Sequence, residues 1–120
     1  MLQIKSFDSV KISFIDHDQL IDALEKIGSR IKSDNRSVQG IFLFGSFQKG
    51  NYTPGSDVDV LITLDVTAIK FLERRDHFID YFEAIPLDVN LIVYTEGEIQ
   101  KMIQNHNLFI RRVMAEAREL

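Results

Sequence analysis

The chain has 120 residues, 45% hydrophobic and 27% charged, which suits one globular domain over 1–120 with a single core and argues against disorder. Its net charge of −4 counts against broad, sequence-independent nucleic-acid binding, yet a nucleotide site remains open to it if a bound cation supplies positive charge. No apolar run approaches the roughly 18 residues a membrane helix needs, residues 1–6 lack the apolar core of a signal peptide, and cysteine is absent, so a cytoplasmic location without disulfides is expected.

In chain order, Val10, Ile12 and Phe14 alternate with polar residues, the period of a short edge strand or of an irregular arm. Asp16 or Asp18 can cap a helix running to about residue 32, with Leu20, Leu24, Ile27 and Ile31 on one stripe. A break at 33–36 precedes an apolar strand over about 38–44. The Gly45-Ser46 corner and a loop punctuated by Gly50, Pro54 and Gly55 lead to a second apolar strand over 57–63. A helix over about 67–82 would turn Ile69, Leu72, His77 or Phe78, and Ile79 inward, leaving the run Glu73-Arg74-Arg75-Asp76 as a solvated face. Pro86 stops this region before a strand over 87–94. Thr95 and Glu98 have capping-box spacing for a last helix with the stripe Ile99, Met102, Ile103, Phe109 or Ile110, Val113 and Met114, broken near 105–107. This order predicts an α/β (α+β) domain: a small mixed β-sheet backed by helices.

The chemistry concentrates where the second strand begins. Asp57 and Asp59 are two apart, so in an extended chain both carboxylates point to one face, where they can hold a divalent cation or, more plainly, cap a turn. Magnesium suits such a pair, because it takes one or two carboxylates and fills its shell with water and phosphate oxygens. Gly45 admits close approach of the backbone to a ligand, and Ser46 can open a helical turn whose N–H groups face an anion. Ser56 is a second phosphate contact or an ordinary turn residue, and Lys49 a phosphate contact or a solvated loop cation. Asp88 opens an otherwise apolar strand and joins the acid pair if that strand lies beside theirs; otherwise it caps the turn after Pro86. Phe47 and Tyr52 are the loop aromatics placed to stack on a base or cover the site, whereas Arg111 and Arg112 either approach the phosphates or a partner or, more simply, form a solvated helix end. His17, His77 and His106 have no spacing that indicates a zinc site.

Gly45-Ser46, a ten-residue spacer and Asp57-x-Asp59 between apolar residues resemble the signature of the minimal nucleotidyltransferases, small relatives of the polymerase-beta superfamily. Pro54-Gly55-Ser56-Asp57 and the late run from Asn107 to Arg112 extend the likeness over most of the chain. The resemblance implies the polymerase-beta-like nucleotidyltransferase fold, with catalytic and metal-binding roles for Asp57, Asp59 and Asp88 at a site for two Mg2+ ions. It further implies a nucleotide cradle of Gly45, Ser46, Lys49 and Ser56, and transfer of a nucleoside monophosphate, AMP from ATP on family grounds, to a hydroxyl. One departure is Phe47, where the family often carries a basic residue directly after Gly-Ser.

No acceptor-recognition domain fits within this length, so a small acceptor, a partner protein or a second copy must complete the reaction. Members of the family are often antitoxins paired with a helical toxin of the HEPN type, which the resemblance makes the candidate acceptor. The contrasting expectation is a non-catalytic, antitoxin-like nucleotide-binding module acting by contact. Modification of a small molecule such as an aminoglycoside is a weaker third reading, because no acidic acceptor-binding domain follows.

Overall fold

The computed structural model describes residues 2–7, 10–53 and 55–120, with side chains from residue 16 onward. Strands β1 (Leu2–Phe7) and β2 (Val10–Ile15) pair antiparallel as a hairpin separate from the main sheet. The strand expected at 10–14 therefore exists, but its partner is the preceding segment, and the alternation of its side chains lies outside the described residues. Helix α1 (His17–Asp34) begins at Asp16, whose carboxylate accepts the Gln19 N–H at 3.1 Å. It ends where the Asn35 N–H and side-chain amide both donate to the Ile31 carbonyl, at 3.0 and 2.9 Å. These bonds satisfy groups that a helix end otherwise leaves open.

The main sheet is built from β3 (Val38–Phe44), β4 (Val58–Leu64), β5 (Val89–Thr95) and β6 (Arg118–Glu119) in the order β5-β4-β3-β6. Strand β3 runs antiparallel to β4, which runs parallel to β5. Strand β6 covers the other edge of β3, an element the sequence did not suggest. Because side chains alternate, each strand feeds two cores. Val58, Val60, Ile62 and Leu64 meet Leu20, Leu24 and Ile31 of α1. Leu61 and Phe44 meet Ile99, Ile110 and Val113 on the opposite face.

The parallel pair is joined through helix α3 (Phe71–Phe78) and a 3-10 turn, Ile79–Phe82. This helical region starts later than the expected residue 67, because the Thr67 hydroxyl accepts the Ile69 N–H at 3.0 Å and closes a local turn instead. Phe78 and Phe82 are buried and Ile79 half-buried, but Leu72 stands in solvent at 87% exposure. Arg74 also departs from the solvated-face expectation. It is buried, donates from Nε to the Ile69 carbonyl at 3.0 Å, and pairs through Nη1 with Glu98 Oε1 at 2.6 Å. That partner lies 24 residues away, beyond the reach of a local charge pattern.

Helix α4 (Glu96–Gln104) starts with the expected capping box: the Glu98 N–H donates to Thr95 Oγ1 and the Thr95 N–H to Glu98 Oε1, at 3.1 and 2.7 Å. The expected break follows, and helix α5 (Leu108–Glu116) starts at Asn107, whose side chain accepts the Ile110 N–H at 3.0 Å. Ile110 and Val113 point inward, while Phe109 and Met114 are exposed. No helix among the described residues is long and apolar enough to cross a membrane.

Candidate active site at the ends of the central strands

Strand β3 delivers the chain to Gly45, which has φ 75° and ψ −154°, a conformation that disfavours residues with a Cβ. A Cβ here would also collide with the Asp59 carboxylate, so backbone conformation and side-chain packing both require glycine. Ser46 then opens the one-turn helix α2 (Ser46–Lys49), which closes on Gly50 in the left-handed region at φ 83°.

The turn of α2 carries Phe47 into the main core, where it is fully buried. Tyr52 stacks on it with ring centroids 4.7 Å apart, and His17 stacks on Tyr52 at 5.4 Å. Nε2 of His17 donates to the Phe47 carbonyl at 2.9 Å in the tautomer that carries its proton there. The rings of Phe47 and Tyr52 are thus engaged in packing, which corrects the expectation that they stack on a base. Their pile anchors the following loop to the start of α1. Within that loop Ser56 Oγ accepts the Thr53 N–H at 2.9 Å while the Ser56 N–H donates to the Thr53 carbonyl at 3.0 Å, turning the chain toward β4. Pro54 lies outside the described residues.

Strands β4 and β5 are neighbours, as a role for Asp88 in the acid cluster requires. Their register pairs Val58 with Val89 and Asp59 with Asn90, so Asp57 and Asp88 lie one position before the paired segments. The Asp88 carbonyl accepts the Val58 N–H at 2.8 Å. Asp57 and Asp88 line one cleft of about 400 Å³, together with Ser56 and Leu87. Asp59 lines a second cleft of about 240 Å³ and accepts a hydrogen bond from the Asn90 side-chain amide on Oδ1 at 3.1 Å. Burial raises the Asp59 carboxyl above its ordinary value; the Asn90 bond opposes this shift and the Asp57 charge adds to it.

These hard oxygen donors fit a divalent cation, which would relieve the repulsion between Asp57 and Asp59. Among the described residues, however, no three acids or histidines converge on one point, and the three aspartates are divided between the two clefts. The side chain level with Asp59 is the neutral Asn90, with Asp88 two residues earlier.

The second cleft also brings in residues of α5. Phe109, Arg112, Val113 and Glu116 follow the i, i+3, i+4, i+7 spacing of a single helix face and form its α5 wall. Lys49 Nζ reaches Glu116 Oε2 at 3.3 Å, tying α2 to α5. The sequence signal for Arg112 was this helical phase, and for Asn90 its position two residues after Asp88.

A family model for the nucleotidyltransferase domain matches residues 24–119. Two Methanocaldococcus jannaschii proteins are similar. One, named "Putative protein adenylyltransferase MJ0604", is 34% identical over 82% of this chain and 94% of its own length. The other, "Putative protein adenylyltransferase MJ1379", is 31% identical over 72% and 80% respectively. Among solved structures, one described as "a putative nucleotidyltransferase from Sulfolobus solfataricus" superposes with a TM-score of 0.58 at 21% identity, covering 71% of this chain and 75% of that one. A toxin-antitoxin structure with AMP-PNP gives 0.54 at 17% identity, over 88% of this chain and 72% of that one. A second toxin-antitoxin structure, a mutant of MntA-HpeT, gives 0.51 at 14% identity, over 88% and 71%. With its Gly45-Ser46 corner and acid-bearing strands in the fold of these structures, the chain belongs to the nucleotidyltransferase domain family and is a nucleotidyltransferase.

Proposed function

We infer that the protein transfers AMP from ATP to a hydroxyl group of a partner protein in a magnesium-dependent reaction. The observation that carries this reading is the packing of Asp59 against Gly45, which sets an acid directly beside the start of α2 in a chain of this family. The names of the two archaeal relatives support protein as the acceptor class. The AMP-PNP in one structure of the same fold supports an adenine nucleotide, and the toxin-antitoxin nature of two such structures supports a toxin as the partner, for which the family resemblance offers the HEPN type.

In this reaction the acceptor oxygen bonds to the α-phosphorus, the bond from that phosphorus to the oxygen bridging to the β-phosphate breaks, and pyrophosphate leaves. Asp88 takes the proton of the attacking hydroxyl. Ser46 and the N–H groups at the start of α2 hold the outer phosphates, with Lys49 joining them by leaving Glu116. Ser56 orders the loop that presents Asp57. Asp57, Asp59 and Asp88 would hold the magnesium, which supplies Lewis-acid polarisation of phosphoryl oxygens and a lowered hydroxyl pKa.

Calorimetric titration with ATP, with and without magnesium, tests the reading on wild type and on an Asp57→Asn, Asp59→Asn double variant. Binding that requires both the metal and the carboxylates is expected, as is transfer of label from α-phosphate-labelled ATP to the partner. ATP binding that survives the double substitution would overturn it. Asp88→Asn separates catalysis from action by contact alone, because only transfer depends on that carboxylate.

A further inference from the structure

The clefts on either side of the acid-bearing strand ends differ in chemistry. The one beside Asp57 and Asp88 is open and polar, whereas the one beside Asp59 is narrower and has an aromatic and aliphatic lining from Phe44, Phe109 and Val113. Phe44 and Val113 belong to the packed core of that face, but Phe109 is 49% exposed. Its T-shaped contact with Phe44, at 6.0 Å between centroids and 75° between planes, covers only part of the ring. An aromatic left half in water at the mouth of a cleft has surface available for stacking against a flat apolar ligand. Arg112 and Glu116 flank it on the same helix face, and Gly45, Lys49 and Asp59 stand opposite.

We propose that this cleft is the nucleoside subsite: the base of the nucleotide stacks on Phe109, and Arg112 binds its phosphate chain where that chain turns toward Gly45. This deepens the adenylyl-transfer reading and rests on it. The volume of about 240 Å³ holds a heterocycle and part of its sugar, and falls below the ~300–1,000 Å³ typical of pockets that take a whole drug-sized ligand. The triphosphate accordingly extends out of the cleft, past Gly45 and Asp59, toward the Asp57 side. Arg112 suits the phosphates because its planar guanidinium can donate two parallel hydrogen bonds. The ion pair between Lys49 and Glu116 keeps the two walls together before the nucleotide enters.

The test compares Mg-ATP with Mg-tripolyphosphate, which carries the phosphates and no base, in titrations of wild type, Phe109→Ala, Phe109→Tyr and Arg112→Gln. Phe109→Ala should weaken ATP about tenfold, within the range for losing one base-aromatic stack, and leave tripolyphosphate unchanged. Phe109→Tyr should restore ATP binding, and Arg112→Gln should weaken both ligands. ATP affinity unchanged in Phe109→Ala, or an equal loss for both ligands, would overturn the subsite. Failure of wild type to bind either ligand would instead sink the underlying adenylyl-transfer reading, so the two failures are distinct. Thermal melts of each variant show whether the half-exposed position has been changed without unfolding the chain.

Discussion

The two faces of the central sheet are built from the same strands and differ in what they are closed by. On one face α1 lays Leu20, Leu24 and Ile31 over Val58, Val60 and Ile62, all of them at 0% exposure, and among the described residues no carboxylate is buried there. On the other, α4 and α5 cover a smaller cluster around Leu61 and Phe44, and beyond its margin Asp59 sits partly buried beside a cleft. Alternation of side chains along β4 lets one strand serve both purposes, its even-numbered positions holding the fold and Asp57 and Asp59 facing the site. The closed face carries stability, and the open face has given some of it up to keep an acid in poor solvation.

Substitutions on the two faces should therefore have opposite signatures. The largest loss of stability is expected from Leu24→Ala on the closed face, about 2–5 kcal/mol from transfer and cavity terms, read by urea denaturation, with Mg-ATP affinity preserved while the chain stays folded. Gly45→Ala comes next: the strained φ alone costs about 1–3 kcal/mol, and because the new methyl displaces Asp59, calorimetry should show Mg-ATP binding lost. If Gly45→Ala binds as wild type, the contact between Gly45 and Asp59 does not organise the site.

Smaller effects should depend on pH. Burial pushes the Glu98 carboxyl up, but hydrogen bonds from Arg74 and from Thr95 outweigh it and hold it below its ordinary 4.5. Its contribution is then complete above 4.5 and lost as pH falls through the lowered folded value. Glu98→Gln should lower the melting midpoint at pH 7 by the equivalent of under about 1 kcal/mol, given the solvent screening of a half-open pair, and the gap from wild type should close in acid. Asp59 has the opposite sign. Its folded value is raised, so the charged form costs stability above that value, and the cost disappears below the unfolded 3.8. Asp59→Asn should slightly raise the midpoint at pH 7 and abolish magnesium-dependent ATP binding, with the gain vanishing as pH falls below 3.8. A destabilised Asp59→Asn at neutral pH would contradict the division between the faces.

What could be read from the sequence follows the range of the interactions involved. The strand over 38–44, the Asp16 cap and the capping box at Thr95 are local, set by neighbours within four residues, and each was legible. The Gly45-Ser46 corner and the acid-bearing strands were legible too, because motif spacing encodes them. Arg74 was misread because Glu98 comes from another element, and Phe47 because the turn of α2 aims it at α1 rather than outward. Asn90, Arg112 and Glu116 could be assigned to the clefts only after the β4-β5 register and the rotation of α5 were fixed, and both depend on packing.

The short β6 bears on how the molecule reaches this state. Its pairing with Phe42 and Leu43 is continued by the Leu120 N–H bonding to the Ile41 carbonyl at 2.8 Å, and Lys32 reaches the Leu120 carbonyl across 88 residues of sequence. Until β6 and Leu120 are in place, the strand leading to Gly45 has one flank of unpaired peptide groups, the kind of template on which other chains can add. Contacts so distant in sequence form late, after the loop-closure entropy has been met. During folding, therefore, the outer flank of the strand that delivers the Gly45 corner is protected late.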